Sequence, residues 1–421
     1  MQIFKKMNKK EIPDETIEIV ARHINERNNR PSKIPIITID GETETPHYFE
    51  IIPFDQIDDS KAKFFAIDGS YNSQEFYNGL SVAIYTAGYV CYHYGKQIKL
   101  NNKDNPIILG KNYFPNNILI TNQDHAYAIF DEFLSLEPVK NFVQFSGVPN
   151  PYSIFSYSEQ TIKEEICSNT SKLLSFCQDV LEWALVYEIA ELSIVNAGDF
   201  ILRDGTLRSN NIKQVHLVKL GKYLKEKELI CVAVTKNSPL KLELSSTFKK
   251  IDNYLETQKK PTYPFTIKDP KRQKLCCWFE VPDDILDVAY KGNMFAKKDI
   301  TGGRGFGLFF VARLDYVEKL QNYDWVVVDL NIFDAISEIG QKNNKRDLGK
   351  MEKIFLELTR LTQEHYILGY PFPLVEAHNF VTLKNDFKDE IIKRVKYALY
   401  KEQRMDNVDI ENLFLDIHER F

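Results

Sequence analysis

Phe64-Phe65-Ala66-Ile67-Asp68-Gly69-Ser70-Tyr71 is the stretch on which the reading of this chain turns. An apolar run of strand length is followed by a carboxylate, then by a glycine and a hydroxyl residue that predict an immediate turn of the backbone. Far downstream, Phe200-Ile201-Leu202-Arg203-Asp204-Gly205-Thr206-Leu207 has the same arrangement. Two buried strands, each with an aspartate at its C-terminal tip, would bring the pair to one edge of a sheet. Such a pair suits hard divalent cations, which take carboxylate oxygens in fixed octahedral positions. Either stretch alone has a plainer reading, because Asp-Gly after an apolar run is an ordinary strand-to-turn signal.

Composition leaves the decision to such local clusters. The chain has 421 residues, enough for a sizeable core and for two or three domains, and 43% hydrophobic and 27% charged residues are ordinary for a soluble globular protein. A net charge of −5 neither favours nor excludes nucleic acid, since an acidic metal site and a basic groove cancel in the total. The cysteines, Cys91, Cys167, Cys177, Cys231, Cys276 and Cys277, show no C-x-x-C spacing and mostly sit in apolar runs. They read as reduced core residues of a cytoplasmic protein, and their spacing argues against a zinc site. No run approaches the ~18 apolar residues that a membrane span needs.

Along the chain, Asp14 behind Pro13, with Ile17, Val20 and Ile24 at helical spacing, predicts a short amphipathic helix over 14–28. Residues 1–60 read as this helix plus a polar arm, with the core beginning near Lys61. The β-formers of 80–94 predict a long strand, bent or turned at Gly88, that returns beside the first. Residues 96–151 carry turn signals and read as a loop-rich insertion around one or two short strands. Ser156 and Glu159 match a capping box, and Ile162 to Leu192 reads as one long helix or two in series, with Glu182, Glu188 and Glu191 in its C-terminal half. A helix over 211–226 and an apolar strand ending at Thr235-Lys236 follow, and this strand–helix–strand order predicts parallel pairing. A lysine at the edge that carries the aspartates suits a phosphate, and it also suits plain emergence into solvent.

Cations and aromatic residues alternate from Lys259 to Trp278, which fits either a single-strand groove or an exposed loop. Gly302-Gly303-Arg304-Gly305-Phe306-Gly307 follows no strand and precedes no helix, so it reads as a flexible basic turn with Lys297 and Lys298 and not as a dinucleotide fingerprint. Strands over 309–314 and 325–330 and a helix over 347–365 come next. Finally, the prolines of Gly369-Tyr370-Pro371-Phe372-Pro373-Leu374 predict an extended entry to a helix with His378 in its first turn. Residues 386–421 read as a helical tail.

Taken together, Ile67-Asp68-Gly69-Ser70, Asp204-Gly205-Thr206-Leu207, Thr235-Lys236-Asn237-Ser238 and Tyr370-Pro371-Phe372-Pro373-Leu374 with Glu376-Ala377-His378 resemble, in that order, the motifs of the NurA nuclease family. The resemblance spans 61–385 and implies an α/β, RNase H-like (Piwi-like) mixed sheet flanked by helices. It also implies a manganese- or magnesium-dependent DNA nuclease with two ions, a hexameric HerA-type ATPase as partner, and a homodimer. A role in DNA repair or in antiviral defence goes with it. Carried over by position, it makes Asp68, Asp204, His378 and a helix glutamate metal ligands, with Lys236 at the phosphate. Glu188, in Tyr-Glu-Ile-Ala-Glu-Leu ahead of Asp204, is the preferred glutamate and Glu182 the second choice. Two other classes stay open: an actin-like ATPase, in which Asp-Gly-Ser/Thr turns grip nucleotide phosphates, and a nucleic-acid-binding scaffold without chemistry.

Overall fold

The structure is a computed structural model. It describes residues 14–28, 49–50, 61–76, 81–98, 100–102, 105–108, 110–113, 118–120, 123–245, 247–248, 276–281, 283–290, 305–315, 325–338, 345–363, 369–383, 385–401, 410–411 and 414. Most of the basic 259–278 segment, together with Lys297, Lys298 and Arg304, lies outside these residues. In chain order, helix α1 (Asp14–Asn28) precedes strands β1 (Phe49–Glu50), β2 (Phe64–Glu75) and β3 (Ser81–His93). Five short strands follow: β4 (Lys96–Gln97), β5 (Leu100–Asn102), β6 (Asn105–Ile108), β7 (Gly110–Tyr113) and β8 (Ile118–Ile120). Helices α2 (Gln123–Ser135), α3 (Glu137–Ser146), α4 (Glu159–Thr161) and α5 (Thr170–Ala190) lead to β9 (Phe200–Asp204), α6 (Gln214–Glu226), β10 (Ile230–Thr235) and α7 (Pro239–Glu243). Then come β11 (Cys277–Glu280), α8 (Asp283–Ala289), β12 (Gly307–Arg313), β13 (Trp325–Asn331), α9 (Ile332–Ala335), β14 (Ile336–Glu338) and β15 (Lys345–Arg346). Helices α10 (Leu348–Gln363), α11 (Phe372–Val381) and α12 (Asn385–Lys401) complete the order.

Among the described residues, eleven strands form one mixed sheet, in the order β1-β11-β12-β13-β10-β9-β2-β3-β4, with β7 and β8 also paired to β3. Its centre follows one path: β2 and β3 pair antiparallel, short strands pair antiparallel to the far side of β3, and α5 crosses to β9, which runs parallel to β2. Helix α6 then crosses to β10, parallel to β9. An antiparallel meander followed by two parallel strands added on the other side of the first is the RNase H-like topology. The antiparallel strands β13, β12 and β11 widen the sheet beyond it.

The first strand departs from the sequence expectation in an instructive way. β2 does not turn at Gly69. It runs on to Glu75, paired with β3 throughout, and Asp68 sits mid-strand opposite Gly88. What ends near Asp68 is the pairing with β9, whose last partner on β2 is Ile67, opposite Arg203. The chain leaves β9 at Gly205, where φ is +119°, a value that only glycine adopts easily. The continuing hairpin with β3 outweighs the turn propensity of Gly-Ser, and the aspartate faces a gap opened by its neighbour.

Three other expectations are corrected. The 96–151 region contains helices α2 and α3 as well as short strands, because Phe130, Phe133, Val139, Phe142 and Val143 recur at helical spacing and are buried in the main core. Helix α11 begins at Phe372, so Pro373 occupies the first turn, where its missing N–H costs nothing, and His378 falls near the other end. The capping oxygen upstream of α5 belongs to Ser158, which accepts from the Thr161 amide at 3.0 Å. The region is two helical pieces in series, the second starting afresh under an Asn169 cap.

Helix α5 is buried along most of its length, with every residue from Val180 to Val186 inside, so its glutamate at 182 is carried into the protein interior by the apolar residues around it. The six cysteines are free and buried. Among the described residues no helix is long and apolar enough to cross a membrane.

Candidate active site

Register places Asp68 and Asp204 side by side. β2 and β9 are in parallel step from Phe64 with Phe200 to Ile67 with Arg203, so the next residues on the two strands are the two aspartates. Alternate residues of a strand face opposite sides of the sheet, so Asp68 and Asp204 share one face while Gly69 and Arg203 point to the other. The helices follow this division. His378 of α11 stands with Nδ1 2.7 Å from Oδ2 of Asp68, on the aspartate face. On the opposite face, Glu182 and Gln178 of α5 lie over Gly69, where a side-chain carbon would come 2.5 Å from Oε1 of Glu182 and 2.6 Å from Cγ of Gln178. The glycine of the first motif thus makes room for a glutamate.

Around the gap where β9 turns away, the two faces meet. One polar pocket there is lined by Asp68, Asp204 and Glu182, with Arg203, Asp179 and the 205–211 loop forming its far wall. The carboxylates interact. Burial, then the charge of Asp204, raise the Asp68 carboxyl above its ordinary range, and the hydrogen bond to His378 partly offsets this. Burial is also the main reason that Glu182 is pushed up to about 7, with the charges of Asp68 and Asp179 adding to the rise and Arg203 opposing it.

Arg203 organises the pocket wall. Its Nη2 lies 2.7 Å from Oε2 of Glu182 and 3.0 Å from Oδ1 of Asp179, and its Nη1 donates to the Thr206 carbonyl. Asp179 also accepts from Ser209 Oγ and from Asn211 Nδ2 at 2.8 Å. Arg208 pairs with the fully buried Asp329 of β13, donates to the Gly307 carbonyl, and so ties the Asp204 loop to β12 and β13. The Leu207 amide donates to the same Asp329 at 2.8 Å. On the aspartate face, the buried Tyr370 donates its hydroxyl to the Val234 carbonyl, 2.9 Å away, near Asp204; burial and that carboxylate raise its phenol well above the ordinary value.

Of the residues singled out by sequence, Asp68, Asp204 and His378 are brought together. Glu188 is not: it lies six residues past Glu182, about 240° further round the helix, does not line the pocket, and its charge is felt by Tyr89 of β3. The helix glutamate at the pocket is Glu182. Lys236 follows β10 with Nζ 3.9 Å from the centre of the Tyr370 ring and lies outside the pocket lining. Arg203, Asp179 and Tyr370 were missed as site residues. A charged residue embedded in an apolar strand, as Arg203 is, was the available signal.

The donor set suits a hard cation: anionic oxygens from two strands and a helix converge on one pocket, and burial, with their mutual repulsion adding to it, raises the affinity of two of them for protons. Among the described residues no three His, Cys, Asp or Glu side chains already stand as a ligand group. The reason is geometric, since Glu182 comes from the opposite face and is held by Arg203.

Fold and site define a class, an RNase H-like α/β protein with a carboxylate pocket where its parallel strands end. No protein-family model and no curated protein matches the chain. Among solved structures it is similar to NurA, at 14% identity over 94% of this chain and 98% of that one, with a TM-score of 0.34. It is also similar to NurA with manganese, at 12% identity over 93% and 99% of the two chains and a TM-score of 0.33. A third is endonuclease V of Ciona intestinalis in complex with DNA, at 11% identity over 90% and 99%, with a TM-score of 0.29.

Proposed function

We propose that this protein is a metal-dependent DNA nuclease that hydrolyses phosphodiester bonds at the Asp68–Asp204 pocket. The observation that carries the proposal is the meeting of Asp68, Asp204 and Glu182 at one polar pocket, with His378 on Asp68. Asp68 and Asp204 are the residues that would hold Mn²⁺ or Mg²⁺, with Glu182 the third carboxylate and His378 fixing the orientation of Asp68. Bound there, a pair of such ions would supply an activated water and neutralise the leaving oxygen. The protein's own residues do the remaining work. Tyr370 buttresses Asp204, Arg203 and Asp179 hold the 204–211 loop in place, and Lys236 adds positive charge at the Tyr370 side of the site, toward an incoming phosphate.

In this reading the chain acts as a homodimer with a HerA-type hexameric ATPase, in DNA end processing or antiviral defence in the cytoplasm. An actin-like ATPase would need a glycine-rich phosphate grip at these turns, whereas here Gly69 is covered by Glu182 and Gln178.

The test is cleavage of end-labelled linear and closed circular DNA by the purified chain with Mn²⁺, Mg²⁺ or EDTA, alone and with a HerA-type ATPase. Cutting that needs the metal and disappears in Asp68→Asn is the expected result. Cutting that persists in Asp68→Asn and Asp204→Asn moves the chemistry elsewhere, and no cutting under any condition leaves the scaffold reading.

A further inference from the structure

From Gly305 on, the glycine-rich segment of the sequence is packed against the chain that follows Asp204. Gly305 forms an antiparallel bridge with Arg208, and the Phe306 amide donates to the Leu207 carbonyl at 3.2 Å. A side-chain carbon at Gly305 would overlap that carbonyl, and one at Gly307 would overlap Oδ1 of Asp329. Neither glycine has a positive φ, so space and not backbone conformation excludes a side chain there. Phe306 between them packs on Trp183, the neighbour of Glu182, with ring centres 5.7 Å apart.

Asp329, for which Gly307 makes room, is fully buried on β13 and stands in one row with Ala233 of β10 and Arg203 of β9. It lies two strands away from β9, yet among the described residues every hydrogen bond and ion pair of its side chain goes to the segment after Asp204. Its Oδ2 accepts from the Leu207 amide at 2.8 Å and pairs with Arg208, whose Nη2 donates to the Gly307 carbonyl at 2.7 Å, and its Oδ1 has no hydrogen-bond partner. Stability alone does not call for this arrangement, because a buried ion pair gains little over apolar side chains of similar volume. Position does. Pairing with β2 stops at Arg203 and pairing with β10 stops at Asp204, so the direction of the Asp204 carboxylate depends on what holds the residues that follow. Gly205 stays on β10 through Val234 and Thr235, and from Leu207 on the hold is that of Asp329.

We propose that Asp329 is a positioning residue of the metal site: seated by Gly305 and Gly307, it fixes Leu207 and Arg208 and, through them, the aim of Asp204 into the pocket. The proposal rests on the reading of Asp204 as a metal ligand.

The experiment is a calorimetric titration of the full chain with Mn²⁺, without DNA, beside Asp68→Asn, Asp329→Asn and Gly307→Ala, each kept below its own melting transition. Gly307→Ala leaves every charge in place and pushes on Asp329, so it separates position from electrostatics. Asp329→Asn and Gly307→Ala are each expected to weaken Mn²⁺ affinity about tenfold, the low end of what changes behind a ligand cost, and to speed hydrogen exchange of the Leu207 amide. A purely structural pair would lower the melting temperature and leave the affinity of the folded protein as it was. With parent binding that is lost in Asp68→Asn, unchanged affinity in either of the other two overturns the proposal; if only Asp329→Asn is weakened, the effect is charge at a distance. Should neither fold, Arg208→Lys, which keeps the charge and loses the two-pronged grip on Asp329 and Gly307, takes their place with the same expectation and the same refutation. A parent chain that binds no Mn²⁺, or binds it equally well after Asp68→Asn, overturns the nuclease reading first and the proposal with it.

Discussion

Replacing Glu182 by glutamine separates a metal-site carboxylate from a structural ion pair. Glu182 is 3% exposed and 2.7 Å from Arg203, and yet its carboxyl is pushed up from 4.5 to about 7, so burial and its acidic neighbours outweigh the arginine. A carboxyl whose folded pKa lies above its unfolded one holds a proton that the unfolded chain has already released. The contribution of Glu182 to stability is therefore fully present below about pH 4.5 and is lost as pH rises through about 7. The rise corresponds to about 3 kcal/mol at pH values above both, on an order-of-magnitude scale.

Glutamine reproduces the neutral form, and Arg203 keeps Asp179 and the Thr206 carbonyl. In EDTA at about pH 8, Glu182→Gln should therefore unfold at higher urea, by up to about 3 kcal/mol, and at about pH 4 the two proteins should coincide. Adding Mn²⁺ should then stabilise the parent more than the variant, since only the parent offers a third carboxylate to an ion. Fluorescence of the buried Trp183, whose ring lies 4.8 Å from the Arg203 guanidinium, reports the unfolding beside the pair. A variant that is less stable than the parent in EDTA at about pH 8 would refute the reasoning: the Arg203 pair would then be net stabilising and Glu182 a structural residue.

Gly69→Ala should lower stability by about 1–3 kcal/mol through overpacking and weaken Mn²⁺ binding in a calorimetric titration, because the new methyl group displaces Glu182 and Gln178. Arg208→Ala should cost about 3–5 kcal/mol in urea unfolding, since it strands a fully buried Asp329 and releases the loop after Asp204; a loss under about 1 kcal/mol would show that the pair is dispensable.

The sequence alone singled out Asp68, Asp204 and His378, which the structure brings together, and determined that strand, helix and strand alternate through the 200–235 region. These readings rest on local signals: apolar runs that have one way to be buried, prolines with a fixed φ, and glycines that enter turns closed to other residues. The alternation predicted parallel pairing there, and the mixed α/β class came from the resemblance of the motifs. Tertiary structure decided the rest. Which helix glutamate reaches the pocket depends on the rotation of α5 against β2, and Glu182 and Glu188 both sit in helical sequence that looks equally able to supply it. That rotation was set by the apolar residues that surround α5 and by the missing side chain at Gly69, a contact between positions more than a hundred residues apart. The course of β2 past Gly69 was likewise settled by its ladder to β3, because pairing along a whole strand outweighs the turn preference of two residues.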